Sequence, residues 1–217
     1  MKQMLITGSN RGLGAACAAE FSDYELVTVS RHEGSTEVGD LKDRDFLKHI
    51  VDAYNPHVLI NNAGIWSANW SDQIDVNLHQ AGFLATEFYK KMPVGSSIIN
   101  MSSTSANLTG WQNMTDADMF YIVMKAALKN LSKMMSRSKR RPVRVTSLEP
   151  AFFLTDFANI KTRWEHKGVV LPNHYWYRQN IMTPEHLAKT IRWIVEQPPG
   201  IEIASLEILN SVLYDDN

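Results

Sequence analysis

Short apolar runs alternate along the chain with longer stretches whose apolar residues recur every three or four positions. The first run, Met4-Leu5-Ile6, reads as a buried strand, and the small residues from Ala15 to Phe21 read as a helix packed close on a sheet. Glu25–Ser30 is a second strand and Thr36–Leu41 a short third. Asp43–Tyr54 has helical spacing, with Phe46, Leu47, Ile50 and Val51 on one face. A fourth strand at Val58–Asn61, a helix over Ile74–Met92, a fifth strand at Ser97–Met101, a long helix over Asp118–Arg137 and a sixth strand at Arg144–Leu148 follow. Thr183 caps a helix that opens on Pro184-Glu185-His186 and runs to about Glu196, ahead of a seventh strand at Ile203–Leu209. Alternation of this kind needs parallel strands joined by right-handed helical crossovers. The predicted fold class is therefore α/β, a doubly wound parallel sheet of about seven strands with helices on both faces. No internal repeat, low-complexity segment or linker interrupts the pattern, so residues 1–217 are expected to form a single domain.

Composition narrows the function classes. A chain that is 44% hydrophobic and 21% charged has ordinary globular composition and is not a disordered one. Its net charge of −1 gives no reason to expect nucleic acid as a partner. The basic group Lys133, Arg137, Lys139, Arg140 and Arg141 reads as a solvated helix end that complements the helix dipole. The single cysteine, Cys17, cannot form an intrachain disulfide, which fits a reducing cytoplasm. No basic, apolar leader opens the chain and no run approaches the ~18 apolar residues of a membrane span, so a cytoplasmic location without a membrane partner is expected. The seven histidines show no metal-ligand spacing, so no metal is expected.

The stretch from Thr7 to Gly14, Thr-Gly-Ser-Asn-Arg-Gly-Leu-Gly, joins the first strand to the first helix. Helix N-termini carry free N–H groups and a positive dipole end, so a glycine-rich turn opening a helix can bind a pyrophosphate. Gly8 suits a positive φ at the turn, Gly12 lets an anion approach the backbone, and Gly14 lets the helix lie against the strand. Taken alone, the segment also admits the less favoured reading of an ordinary tight strand-to-helix turn. Chemistry in doubly wound sheets collects at the strand tips. After the second strand come Ser30 and Arg31; with Arg11 inside the glycine turn, they put two cations where a 2′-phosphate would sit, which favours NADP over NAD. Glu33 is the competing candidate, as a partner for an unphosphorylated ribose.

After the fourth strand the chain reads Asn61-Asn62-Ala63-Gly64, after the fifth Ser102-Ser103, and on the following helix Tyr121-x-x-x-Lys125. With Thr7–Gly14 and Asn77 in Asp75-Val76-Asn77-Leu78, these motifs stand in the order found in short-chain dehydrogenases/reductases, which the chain resembles from Met1 to about Asp156. The resemblance implies a Rossmann-type sheet and hydride transfer between NADP(H), or less readily NAD(H), and a carbonyl or alcohol substrate. It also implies a catalytic group of Asn77, Ser103, Tyr121 and Lys125. Tyr121 would exchange the proton, Ser103 would hold the substrate oxygen, Lys125 would grip the nicotinamide ribose, and Asn77 would anchor a water that relays protons to Lys125. The cofactor-binding positions it implies are Gly8, Asn10, Arg11, Gly12 and Leu13 at the turn, Arg31, Asp40 and Leu41 on the adenine side, Asn62, Ala63 and Gly64, then Tyr121, Lys125, Pro150 and Thr155. From the residues themselves, Tyr121 and Lys125 at i and i+4 share a helix face, and a cation near a phenol lowers its pKa.

Three features depart from the family's pattern: the bulky Val123-Met124 between Tyr121 and Lys125, an extended loop from Thr104 to Phe120 containing Trp111, and Pro150-Ala151 where the family has Pro-Gly. The second leaves Ser102 or Ser105 as alternative oxygen holders. Residues 156–182 are expected to form a substrate lid, whose Phe157, Trp164, Tyr175, Trp176 and Tyr177 suit an apolar or aromatic carbonyl compound or, equally, core packing or a subunit interface. A homodimer through the Tyr121/Lys125 helix, or a homotetramer, is expected. Two other functions share the motifs: a catalytically silent NADP(H)-binding sensor or scaffold, which the bulk of Val123-Met124 would favour, and an epimerase or dehydratase.

Overall fold

A computed structural model of the chain describes residues 1–108, 114–138, 142–155 and 182–210. Seven parallel strands form one sheet: β1 (Gln3–Thr7), β2 (Glu25–Ser30), β3 (Glu37–Val38), β4 (Val58–Asn61), β5 (Ser97–Met101), β6 (Arg144–Pro150) and β7 (Ser205–Ile208), in the order β3-β2-β1-β4-β5-β6-β7. Helices α1 (Gly12–Glu20), α2 (Arg44–Ala53), α3 (Trp70–Ile74), α4 (Gln80–Lys91), α5 (Asp116–Ser138) and α6 (Pro184–Val195) carry the crossovers. The doubly wound α/β architecture is as expected. Strand order reverses between β1 and β4, and their C-terminal tips part there to open the crevice in which such sheets bind ligands.

Alternation along the strands builds two cores. Met4, Ile6 and Ile60 point to one face, where Leu13 and Cys17 of α1 and Leu187 and Ile191 of α6 cover them. Leu5, Leu59 and Ile98 point to the other, against Leu47 and Ile50 of α2, Leu84 and Phe88 of α4 and Met135 of α5. The thiol of Cys17, pushed up to about 12 by burial, is inert in the first of these.

Several boundaries differ from the sequence reading, each for a local reason. The third strand keeps two residues; at Thr36 side-chain bonds replace the backbone ladder, the Thr36 hydroxyl accepting from the Thr28 N–H at 3.2 Å and the Thr36 N–H donating to the Thr28 hydroxyl at 2.9 Å. The helix expected from Ile74 starts at Trp70, capped by Asn69, whose side chain accepts from the Asp72 N–H at 3.2 Å. It then passes through a π-helical turn, Asp75–His79, before continuing as α4. The long helix begins at Asp116 because Thr115 and Asp118 cap it reciprocally: the Asp118 carboxylate accepts from Thr115, and the Thr115 hydroxyl accepts from the Asp118 N–H. The expected extended loop is shortened accordingly, and part of it is a 3₁₀ turn over Thr104–Asn107. Trp111, the aromatic residues of the expected lid and the basic residues 139–141 lie outside the described residues. Among the described residues, no helix is long and apolar enough to cross a membrane, and no cluster of His, Cys, Asp or Glu has metal-binding geometry.

Candidate active site

The crevice is a cleft of about 930 Å³ running over the tips of the strands. One end is built by the glycine turn. Gly8 and Gly12 have φ of +68° and +53°, a region that favours glycine. A Cβ on Gly14 would lie 2.1 Å from the Gly8 carbonyl oxygen, so only a glycine lets α1 start this close to the turn. The turn is clamped from β4: Asn62 donates its side-chain amide to the Thr7 and Gly8 carbonyls at 3.1 and 3.0 Å. Thr7 Oγ1 in turn accepts the N–H groups of Asn62 and Ala63, both at 3.1 Å. The first turn of α1 has neither a side-chain cap nor an acidic residue, so its N–H groups and dipole end are left for an anion. Asn10, Arg11, Leu13, Asn62, Ala63 and Gly64 all line this part of the cleft, and Thr155 closes over it, its Oγ1 only 3.1 Å from where a Gly12 Cβ would be.

At the β2 and β3 tips the cleft is lined by Arg31, Asp40 and Leu41 and also by Ser30, His32 and Lys42. Glu33, the competing ribose partner, does not line it. Lys42 pairs with Asp72 at 3.1 Å across the cleft mouth. Sequence reading missed His32 and Lys42, although their place beside Arg31 and Leu41 at strand tips was the available signal.

The other end holds the polar group beside β5. Ser103, Tyr121 and Lys125 converge on the cleft with Pro150. Tyr121 is hydrogen-bonded to Ser103, and its phenol is pushed up to about 12 by burial, which outweighs the opposing effect of that bond. Lys125 is 4% exposed, and burial pushes its ammonium down to about 8. Its Nζ donates to the Met101 carbonyl at 2.7 Å and lies 5.5 Å from the centre of the Tyr121 ring. The expected lowering of the phenol by a neighbouring cation is therefore reversed: desolvation dominates both groups, and the ammonium is committed to a backbone carbonyl.

The alternative serines, Ser102 and Ser105, line the cleft as well. Ser102 is buried and donates its hydroxyl to the Lys125 carbonyl at 2.8 Å. The N–H of Ser105 bonds Ser103 Oγ at 3.1 Å. Asn77, alone among the expected site residues, does not line the cleft. It sits in the π turn, where its side chain accepts from the Ile65 N–H at 2.9 Å, donates to the Ile65 carbonyl at 2.7 Å and is bonded to Gln73. These bonds use its amide to hold the segment after Gly64, so an anchored water would have to bind Asn77 through its main chain. Val123 is 50% exposed on the outer side of α5 and Met124 is packed inside, so neither displaces Tyr121 or Lys125 from the cleft. Ala151, in place of the family's glycine, is fixed by its N–H to the Ile208 carbonyl at 2.7 Å.

Known proteins resemble this chain in sequence and in fold. The curated serine 3-dehydrogenase of Rhizobium radiobacter is 25% identical over 241 residues, covering 95% of this chain and 92% of that protein. The solved closed form of a serine dehydrogenase complexed with NADP+ superposes with a TM-score of 0.75 at 20% identity, covering 95% of this chain and 94% of that one. A 3-alpha-hydroxysteroid dehydrogenase from Pseudomonas sp. B-0831 complexed with NADH gives 0.78 at 17% identity, with the same two coverages. The short chain dehydrogenase family profile matches residues 2–166. The chain thus belongs to the short chain dehydrogenase family, enzymes that interconvert alcohol and carbonyl groups with a nicotinamide cofactor.

Proposed function

We propose that the chain is an NADP(H)-dependent carbonyl reductase or alcohol dehydrogenase in which Tyr121 is the proton donor and acceptor. The observation that carries this reading is the hydrogen-bonded Ser103–Tyr121 pair, with buried Lys125 beside it, at one end of a cleft whose other end is an uncapped helix N-terminus. The residues present fit a dinucleotide: the turn, with Thr155 over Gly12, offers N–H groups to a pyrophosphate, and Pro150 lines the cleft with Tyr121 and Lys125, where a nicotinamide would lie. That group supplies the hydride. Ser103 would hold the substrate oxygen and polarise the carbonyl. With its pKa held near 12, Tyr121 keeps its proton at neutral pH, which suits donation to the oxygen as it gains charge during reduction. Lys125, at about 8, can resupply that proton near neutrality.

NADP is preferred over NAD because Arg11, Arg31 and His32 line the adenine side while Glu33 does not. The NADP+ complex of the similar serine dehydrogenase supports this, although the similar hydroxysteroid enzyme carries NADH. The substrate is a small hydroxy or oxo compound, and the name of the curated relative makes small 3-hydroxy acids the first class to try. A scaffold without turnover is not favoured, because the outward-facing Val123 leaves the pair in place. An apolar stripe on α5, with Met119 at 43%, Val123 at 50% and Met134 at 71% exposure, supports a homodimer through this helix. Spectrophotometric assay of NADPH and NADH consumption over a panel of 3-oxo acids and aromatic ketones tests the reading. NADPH-preferring turnover is expected; tight NADPH binding with no turnover on any of them would favour the scaffold.

A further inference from the structure

A second polar cluster lies one helical turn beyond Lys125 on α5. Lys129, 15% exposed, donates to Glu149 Oε2 at 2.6 Å, and the Glu149 side chain is only 1% exposed. The other carboxylate oxygen accepts the hydroxyls of Ser147 at 3.1 Å and Ser205 at 2.5 Å. Lys129 also bonds the Asn107 side-chain oxygen, and the Asn107 amide donates to Glu207 at 3.1 Å and, more weakly, to Glu149 at 3.5 Å. A carboxylate buried at the end of a sheet is held against a large desolvation penalty, which an apolar residue of similar size would avoid. The cluster's location indicates its use. Lys129 shares a helix face with Tyr121 and Lys125, Glu149 directly precedes cleft-lining Pro150, and Asn107, itself at the cleft wall, ends the 3₁₀ turn that Ser103 caps.

We propose that Lys129, Glu149 and Asn107 form a clamp that positions the Ser103 hydroxyl against Tyr121; the inference rests on the roles given to those two residues above. The near end of the turn is fixed by Ser102, whose N–H donates to the Leu148 carbonyl and whose hydroxyl donates to the Lys125 carbonyl, both at 2.8 Å. Beyond Ser103 the turn is ordered internally, by Ala106 N–H to the Ser103 carbonyl at 3.0 Å and Leu108 N–H to the Ser105 carbonyl at 3.1 Å. Those bonds shape the turn without attaching its far end to the sheet. Asn107 makes that attachment, through an ion pair that joins α5 to β6. A rotation of the turn about Ser103 would move the hydroxyl, and a misplacement of about 1 Å at such a position costs on the order of 100-fold in rate. Lys129, Glu149 and Asn107 are thus positioning residues, acting through Ser103.

The test is a set of steady-state and binding measurements with NADPH and a turned-over carbonyl compound. Asn107→Ala is expected to lower kcat roughly 10-fold while the Kd for NADPH and the KM for substrate change less than about 3-fold. Lys129→Arg is expected to restore most of what Lys129→Met loses. Because Lys129→Met strands a buried carboxylate and can unfold the protein, Lys129→Met/Glu149→Gln serves as the second variant. In a Ser103→Ala background the added loss from Asn107→Ala is expected to shrink to less than about 2-fold, since a residue acting through Ser103 has nothing left to position. An undiminished added loss in that background, or an unchanged kcat in Asn107→Ala, would overturn the proposal. If the wild-type chain reduces no carbonyl compound, the parent reading has failed, and the clamp is then judged by hydrogen exchange in the NADPH complex. Exchange at the Ser105–Leu108 amides should accelerate roughly 10-fold in Asn107→Ala with α5 unchanged, and unaltered exchange there would refute the clamp.

Discussion

Lys125→Met should stabilise the fold at neutral pH while removing a residue assigned to the reaction. In the folded state Lys125 is lowered from 10.5 to about 8 by burial, so the folded protein binds this proton less tightly than the unfolded chain does. The sign follows: below pH 8 the buried ammonium destabilises the fold, and the penalty is relieved as pH rises from about 8 towards 10.5. At roughly 1.4 kcal/mol per pH unit the penalty is about 3 kcal/mol at pH 7, and about 2 kcal/mol of it has gone by pH 9.5. Methionine removes the penalty but leaves the Met101 carbonyl without its donor, which costs about 1–2 kcal/mol. The net expectation is a gain of about 1–2 kcal/mol at pH 7, or roughly 3–6 °C in Tm, that disappears by pH 9.5. Urea unfolding followed by far-ultraviolet circular dichroism, with both proteins at both pH values, measures this directly. Tyr121, raised to about 12, acts in the opposite direction at alkaline pH, but it is present in both proteins and cancels in the difference. A difference between the two proteins that does not vary with pH, or a destabilised variant at pH 7, would refute the assignment of Lys125 as a buried, depressed ammonium.

Gly14→Ala should abolish NADPH binding and destabilise the fold by more than about 2 kcal/mol, because its Cβ would meet the Gly8 carbonyl oxygen at 2.1 Å; calorimetric titration and thermal unfolding read the two losses. Arg31→Ser should weaken NADPH binding by about 1.5–3 kcal/mol and leave NADH nearly unaffected, so the ratio of the two kcat/KM values falls on the order of 10-fold or more. Val123→Asp, at a 50% exposed position on the outer face of α5, should yield monomers in sedimentation velocity if the homodimer forms there, with the fold intact by circular dichroism.

The order of strands and helices could be read from periodicity because parallel strands covered on both faces show as apolar runs and their helices as amphipathic ones. The cap at Thr183 could also be read, since a side-chain acceptor before an apolar helix is a local signal, whereas Asp43, read as the first residue of its helix, is the cap that precedes it. The π turn at Asp75–His79 left no such trace. Asp-Val-Asn-Leu-His has no glycine or proline, and the widened turn follows from the amide of Asn77 reaching back to Ile65, a contact across 12 residues. The outward direction of Val123 was available from helical geometry alone, two residues from Tyr121 being about 200° around the axis. What i and i+4 spacing could not give was the electrostatic outcome at Tyr121 and Lys125. Spacing puts the two on one face, whereas burial and the Met101 carbonyl decide where the ammonium points and which way each pKa moves. Glu149 lay just past the sixth strand as read from the sequence, which stopped at Leu148; only the continuation of β6 to Pro150 buries its carboxylate and sets it against Lys129.

The central claim is that Tyr121 hands a proton to a carbonyl oxygen while hydride reaches its carbon. Single-turnover reduction with NADPH deuterated at the transferring position, followed by mass spectrometry of the alcohol, tests it most directly. Wild type should place the deuterium on the carbinol carbon. Tyr121→Phe should still bind NADPH, with a Kd within about 10-fold of wild type, and transfer the label at least roughly 100-fold more slowly. Label transfer at the wild-type rate in Tyr121→Phe, or oxidation of NADPH without deuterium in the product, would contradict the account.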